Sequence, residues 1–131
     1  MRFLRSLLLL VGVISGTTAA FGEQGPLDCS KKSLAGAVSA AVPGTSITFT
    51  GICTGPVVVR VDGLTLTGVG SAVIDGGGHD ALTVAGAHGV ILSNIEVRNG
   101  ANGIVGINGA HFSLNGLNVH NNPGFGKFAE R

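Results

Sequence analysis

The chain repeats its own pattern every 22 to 23 residues, and this repeat restricts the fold more than any other feature of the sequence. Residues 90–99 align with residues 112–121 at a shift of 22, so that apolar positions and a final Asn coincide. Upstream, Leu82 aligns with Val105 and the segment Gly-Ala-His recurs, both at a shift of 23. A looser copy occupies residues 64–75. Repeats of this length indicate a solenoid, in which each unit stacks on the next.

The content of one repeat distinguishes between two kinds of solenoid. A leucine-rich repeat has a similar length, and Leu114, Leu117, Val119 and Asn122 match its spacing. However, one repeat contains three short apolar pairs separated by Gly or Asn, and it offers no segment long enough for a helix. The pairs are Leu82/Val84, Val90/Leu92 and Ile95/Val97. We therefore predict an all-β parallel β-helix with about three coils over residues 47–122.

A short amphipathic helix is predicted ahead of the coils, over residues 30–43. Leu34, Ala37, Val38 and Ala41 recur at helical spacing. Ser30 can serve as the N-cap, and the Pro-Gly pair that follows Val42 ends the helix.

The order of these segments resembles the N-terminal part of pectin-lyase-like proteins. The helix is followed by Pro-Gly, a strand, then Gly-Ile-Cys-Thr-Gly-Pro-Val-Val-Val, Leu-Thr-Leu-Thr-Gly and Val-Ile-Asp-Gly-Gly-Gly. The resemblance implies a right-handed parallel β-helix whose open end is capped by the helix. It does not imply one activity, because that superfamily includes lyases, hydrolases, epimerases, adhesins and non-enzymatic members.

The catalytic sets of that superfamily are not complete in this sequence. Polygalacturonase-like enzymes use Asn-Thr-Asp, an Asp pair, His-Gly and Arg-x-Lys, and only His88-Gly89 matches. Pectate-lyase-like chemistry needs acids that bind calcium and an Arg base, for which Arg60 and Arg98 are available. We interpret these arginines as solvated outer residues, and Asp75 and Asp80 as turn residues.

The N-terminus has the features of an export signal. Arg2 and Arg5 precede an apolar run, and small residues up to Ala20 suit cleavage, so residues 1–20 are predicted to be a signal peptide and residues 21–29 a lead-in. No membrane span is predicted after cleavage. The protein is therefore expected to be secreted or periplasmic. In that compartment an even number of cysteines predicts one disulfide, between Cys29 and Cys53.

The composition argues against nucleic acid as a partner and against sugar cleavage as a function. After removal of the signal peptide, six Lys and Arg face seven Asp and Glu, so no basic surface for nucleic acid is expected. Trp and Tyr are absent. Since flat aromatic side chains are common in sugar-binding clefts, their absence argues against a sugar-cleaving function without excluding it.

Two sets of polar residues recur at equivalent positions of neighbouring coils. Asn99 and Asn121 are predicted to stack as a structural Asn ladder. His88 and His111 are predicted to lie in adjacent coils, with their Cα atoms roughly 5 Å apart. Two such imidazoles can share copper or zinc, but we favour a duplicated polar turn, because metal sites usually have three or four ligands.

Three functions remain open. The main prediction is an exported, non-catalytic β-helix that binds a polysaccharide or a surface partner. The alternatives are the N-terminal part of a polysaccharide-active enzyme and, more weakly, a periplasmic copper-handling protein. Residues 123–131 carry no capping element, so we expect a tail that is truncated or disordered. An uncapped last coil would also permit end-to-end self-association.

Overall fold

A computed structural model describes residues 25–129, so the predicted signal peptide lies outside the described part of the chain. The described residues contain one helix and eleven strands. The elements are β1 (Leu27–Asp28), α1 (Leu34–Ser39), β2 (Ser46–Thr54), β3 (Val57–Val59), β4 (Thr65–Asp75), β5 (Leu82–Ala85), β6 (Val90–Ser93), β7 (Glu96–Arg98), β8 (Ile104–Ile107), β9 (Phe112–Asn115), β10 (Asn118–His120) and β11 (Lys127–Ala129).

All strand pairs are parallel, and the chain winds into a β-solenoid of about four turns. Each coil contributes one strand segment to each of three faces. The first face contains the start of β2, the start of β4, then β6 and β9. The second contains the ends of β2 and β4, then β7 and β10, and the third contains β3, β5, β8 and β11. The predicted parallel β-helix is thus confirmed. It has about four turns instead of about three, and β11, which lies within the predicted tail, completes the third face of the fourth turn.

The core is a set of apolar columns that run along the inside of the solenoid. On the first face Ile47, Leu66, Leu92 and Leu114 are in register, and Leu66 and Leu92 are completely buried. The equivalent column of the second face is Cys53, Ile74, Val97 and Val119. Alternate side chains point inward because successive residues of a strand face opposite sides. Burial of these columns is the main source of stability, since no coil has a core of its own.

The helix α1 packs on the first coil, as the sequence predicts, but it is shorter than residues 30–43 and begins later. Leu34 and Val38 are buried, each with 2% of the side chain exposed. The N-cap is Ser33, whose hydroxyl accepts a hydrogen bond from the Gly36 amide at 3.0 Å. Ser30 is not the cap, because its amide and hydroxyl both donate to the Asp28 carboxylate.

The predicted alignment of the third face is wrong by one residue. Leu82 pairs with Ile104 instead of Val105, and Val84 pairs with Gly106. The sequence suggests the other register because Val105 looks like an inward residue and Gly106 does not. Gly106 faces inward because it is in register with the buried Val84. The ring of Phe112 fills the space that a side chain at this position would occupy, since a Cβ there would lie 2.5 Å from the ring.

The last coil is less covered than the coils before it. Leu114, Leu117 and Val119 are only partly buried, whereas Leu92 and Val97 are completely buried. Within the described residues, β9, β10 and β11 each pair with a neighbour on one side only. The first coil, in contrast, is covered by β1 and α1.

Cys29 and Cys53 form the predicted disulfide, with their Cα atoms 5.1 Å apart. The bond joins the turn after β1 to the second face of the first coil. Cys53 lies in the inward column and is buried, so the disulfide ties the N-terminal segment directly to the core.

Candidate functional site

The outer surface of the first face carries a regular array of small polar side chains, which we call the hydroxyl face. Its residues occupy two rows across the four coils, and the side chains between the rows are those of the buried column. One row consists of Ser46, Thr65, Ile91 and Ser113, and the other of Thr48, Thr67, Ser93 and Asn115. Seven of these eight residues are Ser, Thr or Asn, and none is charged.

The polar groups of the hydroxyl face are available for a ligand. Within residues 25–129, none of the seven polar side chains forms a hydrogen bond, an ion pair or another polar contact with the protein. Each hydroxyl can donate one hydrogen bond and accept two. Neighbouring strands of a sheet lie about 4.8 Å apart and alternate residues of a strand about 6.7 Å apart, so the groups form a grid with these spacings. Such a grid can contact a ligand that repeats its own polar groups.

The second face carries a cluster of charged side chains instead, formed by Asp75, Glu96, Arg98 and His120. Arg98 contacts both carboxylates, with Nε 3.4 Å from Asp75 and a terminal nitrogen 3.5 Å from Glu96. His120 Nε2 lies 2.8 Å from Glu96 Oε2. These residues come together because Asp75, Arg98 and His120 are in register on successive coils.

Hydrogen bonds stabilise the charged form of Asp75. The Asn99 side-chain amide donates to Asp75 Oδ2 at 2.9 Å, and this is the main reason why the pKa of the Asp75 carboxyl lies below its ordinary value. Burial acts in the opposite direction, while the Gly77 amide and Arg98 lower this pKa further. Asp75 and Glu96 are thus both paired with Arg98.

The predicted pair of histidines is brought together by the fold. The rings of His88 and His111 are 5.0 Å apart and nearly perpendicular, at 83°. His88 Nε2 also lies 3.1 Å from the carbonyl oxygen of Gly109. Both side chains are exposed. In the part of the chain that the structure describes, no group of three or more His, Cys, Asp or Glu is placed to hold a metal ion, so the copper hypothesis has two ligands and not a complete site.

The residues of the predicted Asn ladder occupy equivalent turns. Asn99 and Asn121 both have a φ of 58°, and the main-chain N–H of Asn99 donates to the main-chain carbonyl oxygen of Asn121 at 3.1 Å. The side chain of Asn99 donates a hydrogen bond to the Asp75 carboxylate on the preceding coil. A second polar column lies beside it, since Asn102 donates to Asp80 Oδ1 at 2.8 Å. Side-chain stacking between Asn99 and Asn121 stays a prediction.

Sequence reasoning missed the hydroxyl face and the charged cluster. The signal for the first was present, because Ser-Ile-Thr and Thr-Leu-Thr each place an inward apolar residue between two outward hydroxyls. The signal for the second was weaker. The shift of 22 residues must be applied to the outward residues of each strand as well as to the inward apolar residues. Only then are Glu96, Arg98 and His120 recognisable as neighbours.

No helix among residues 25–129 has the length and apolar character that crossing a membrane requires. Compared with protein-family models, with curated proteins and with solved structures, the chain matches none.

Proposed function

We propose that this protein is an exported, non-catalytic β-solenoid that binds a neutral polysaccharide through its hydroxyl face. One observation carries the proposal: seven outward Ser, Thr and Asn side chains form a charge-free array in two rows, and none of them has a polar contact with residues 25–129. The disulfide between Cys29 and Cys53 supports the exported location, since such bonds persist in oxidising compartments.

A polysaccharide suits this surface because both are periodic. The hydroxyls of a polysaccharide recur along the chain, and those of the protein recur from coil to coil, so several weak hydrogen bonds can form together. The strands hold the protein groups in place before binding, which lowers the entropy cost of ordering them. A single neutral hydrogen bond contributes only about 0.5–1.5 kcal/mol. Binding therefore depends on the number of rows that the ligand contacts.

The chemistry of the face indicates a neutral ligand. No Lys or Arg lies among its eight residues, so the face has no cation to pair with the carboxylates or sulfates of acidic polysaccharides. The protein has no Trp or Tyr, so stacking of sugar rings on their side chains does not contribute either. An ordered, insoluble polysaccharide fits best, because its surface repeats polar groups in rows as the hydroxyl face does.

The test is retention of the purified protein by insoluble neutral polysaccharides, with cellulose and chitin as probes. Thr67→Asp introduces a charge into the hydroxyl face, and Thr83→Asp makes the same change on the outer side of the third face of the same coil. Both threonines are half-buried, so the two variants are matched. We expect Thr67→Asp to weaken binding about tenfold or more, because a charge must lose water without gaining a partner, and Thr83→Asp to bind like the unaltered protein.

Two outcomes contradict the proposal. The first is that the unaltered protein is not retained by any neutral polysaccharide. The second is that both aspartate variants lose binding equally while their circular dichroism spectra remain unchanged.

A second candidate function, part of a polysaccharide-active enzyme, is favoured by the charged cluster on the second face. Two carboxylates, an arginine and a histidine lie together there on an outer surface. If this cluster is catalytic, the protein releases new sugar ends from a soluble polysaccharide, and Glu96→Gln abolishes that release. Absence of any release from neutral and acidic polysaccharides alike removes this candidate.

A further inference from the structure

Four Asn-Gly dipeptides occur in the last two coils, at Asn99, Asn102, Asn108 and Asn115. An Asn before Gly is chemically labile. The main-chain nitrogen of the Gly can attack the side-chain carbonyl carbon of the Asn, because Gly has no Cβ to obstruct the approach. Whether this happens in a folded protein depends on how firmly the side chain and the nitrogen are held. The four sites differ in this respect.

The dipeptide at Asn99 is held at both groups. The Asn99 side-chain nitrogen donates to Asp75 at 2.9 Å. The nitrogen of Gly100, which would have to attack, donates to Asn122 Oδ1 at 2.8 Å, and Gly100 is buried. Both hydrogen bonds must break before the reaction can start.

The dipeptide at Asn102 is held in the same way. Its side chain donates to Asp80 at 2.8 Å and accepts from the Phe125 amide at 2.7 Å. The Gly103 nitrogen donates to the Phe125 carbonyl oxygen at 2.7 Å. Asn102 is therefore fixed on both sides by the coils above and below it.

The dipeptide at Asn108 is fixed by its main chain. Asn108 and Gly109 have φ values of 57° and 75°, and Ala110 donates to the carbonyl oxygen of Ile107 at 3.2 Å. Positive φ at both central residues defines a type I′ turn, for which Asn-Gly is the preferred sequence. The Asn108 side chain is exposed, but the closed turn limits rotation of its backbone.

The two reacting groups of the dipeptide at Asn115 are not held in this way, and its main chain is fixed by one hydrogen bond, from the Asn94 amide to the Asn115 carbonyl oxygen at 2.9 Å. Asn115 is exposed at the end of β9, which pairs only with β6 among the described residues. Gly116 is exposed as well. Neither the Asn115 side chain nor the Gly116 nitrogen has a hydrogen-bond partner in the described part of the chain. We propose that Asn115 is a site of spontaneous deamidation, and that the solenoid protects the Asn-Gly dipeptides at Asn99 and Asn102.

The reaction needs only water as co-reactant. The Gly116 nitrogen forms a bond to Cγ of Asn115 and loses its proton, while the bond from Cγ to the side-chain nitrogen breaks and releases ammonia. The product is a five-membered succinimide. Water then opens one of its two carbonyl–nitrogen bonds, which gives either aspartate or isoaspartate at position 115.

The modification places a charge on the hydroxyl face. Asn115 is in register with Ser93 and ends the row that contains Thr48 and Thr67. Aspartate adds a negative charge to this otherwise uncharged array, and isoaspartate also lengthens the main chain by one carbon. Any effect on polysaccharide binding rests on the proposed function, whereas the modification itself does not.

The experiment is peptide mapping by mass spectrometry after incubation of the purified native protein in H₂¹⁸O at mildly alkaline pH. Incorporation of ¹⁸O distinguishes deamidation during incubation from deamidation during digestion. We expect position 115 to react at least about tenfold faster than positions 99 and 102, since each hydrogen bond that must open slows the reaction about tenfold. The same incubation in concentrated urea is the control, and there the four sites should react at similar rates.

Reaction of the native protein at position 99 or 102 as fast as at position 115 overturns the proposal, and so does an intact Asn115 under conditions in which the urea sample reacts. The variant Asn115→Asp separates this proposal from the proposed function. If position 115 deamidates but Asn115→Asp binds cellulose and chitin like the unaltered protein, the modification site stands and the role of the hydroxyl face fails at this row.

Discussion

Replacement of Leu92 by Ala tests whether the buried columns hold the solenoid together. Leu92 has no exposed surface and lies in register between Leu66 on the coil before and Leu114 on the coil after. Its removal leaves a cavity with walls on both sides, because the two neighbouring coils are fixed by their own strand pairs.

The expected loss follows from the degree of burial. Leu→Ala at a fully buried position costs about 2–5 kcal/mol in the free energy of unfolding, and the rigid walls favour the upper half of that range. Leu114 belongs to the same column but is partly exposed, with a packed neighbour on one side only. Leu114→Ala should therefore cost roughly half as much, about 1–2.5 kcal/mol.

Urea unfolding followed by far-UV circular dichroism measures both changes. With a slope of about 1–2 kcal/mol per M for a chain of this size, Leu92→Ala should lower the midpoint by roughly 2–3 M and Leu114→Ala by roughly 1–1.5 M. Since stability is normally only about 5–15 kcal/mol, Leu92→Ala could leave part of the sample unfolded without urea. In that case the midpoint is compared with that of the unaltered protein only for the variant that still gives a complete unfolding transition.

The reasoning fails if Leu114→Ala lowers the midpoint as much as Leu92→Ala does. That result would mean that burial within a column does not determine the contribution of a residue, or that the last coil is covered in solution by something that packs on Leu114.

Three further changes test other parts of the fold. Replacing Cys29 and Cys53 by Ala opens a link across 24 positions, and the chain-entropy relation gives a loss of about 3 kcal/mol, so a urea midpoint that does not move would contradict it. In Gly68→Ala the new Cβ would overlap a main-chain carbonyl oxygen of the next coil, with an expected cost of about 1–3 kcal/mol or more. In Gly36→Ala the new Cβ would meet only the Ser33 side chain, at an ordinary contact distance of 3.5 Å, so this change in the helix should stabilise by about 0.5–1 kcal/mol; thermal unfolding compares the two variants. The pKa of Asp75 is lowered from 3.8, so the ionised carboxylate stabilises the fold fully above pH 3.8, and this stabilisation is lost as the pH falls through the lower pKa of the folded state. The stability of Asp75→Asn should therefore lack this part of the pH dependence in acid unfolding. An acid-unfolding profile identical to that of the unaltered protein would refute the prediction.

The sequence predicts the fold well where apolar residues mark both the period and the inward side. Leu92 and Leu114 are recognisable as equivalent because each lies at the same place in the same alternating pattern, and the structure pairs them. The pattern fails at Gly106, where an inward position is filled by the ring of a residue on another strand. Hydrophobicity alone does not reveal a space that a distant side chain fills.

The candidate sites are less predictable, because they depend on outward residues. His88 and His111 could be paired from their repeated Gly-Ala-His context, and the rings lie 5.0 Å apart. The contact of His120 with Glu96 depends on a register and on side-chain rotamers that no short motif specifies. Small polar residues such as those of the hydroxyl face are common in strands and turns, so only their alignment across coils shows that they form one surface.

The strand register also determines which changes of chain length the protein can absorb. Each residue of β6 faces the residue 22 positions later in β9. Deletion of residues 90–111 would therefore join Gly89 to Phe112 and bring β9 into the place of β6, with inward and outward residues unchanged. The hydroxyl face would lose one row and keep its chemistry, whereas the charged cluster would lose Glu96 and Arg98. A deletion that is one residue shorter or longer would instead turn every following side chain of that strand to the opposite side. Length variation among proteins built on this plan should thus occur in steps of one whole coil, while changes of one or two residues should be confined to the turns.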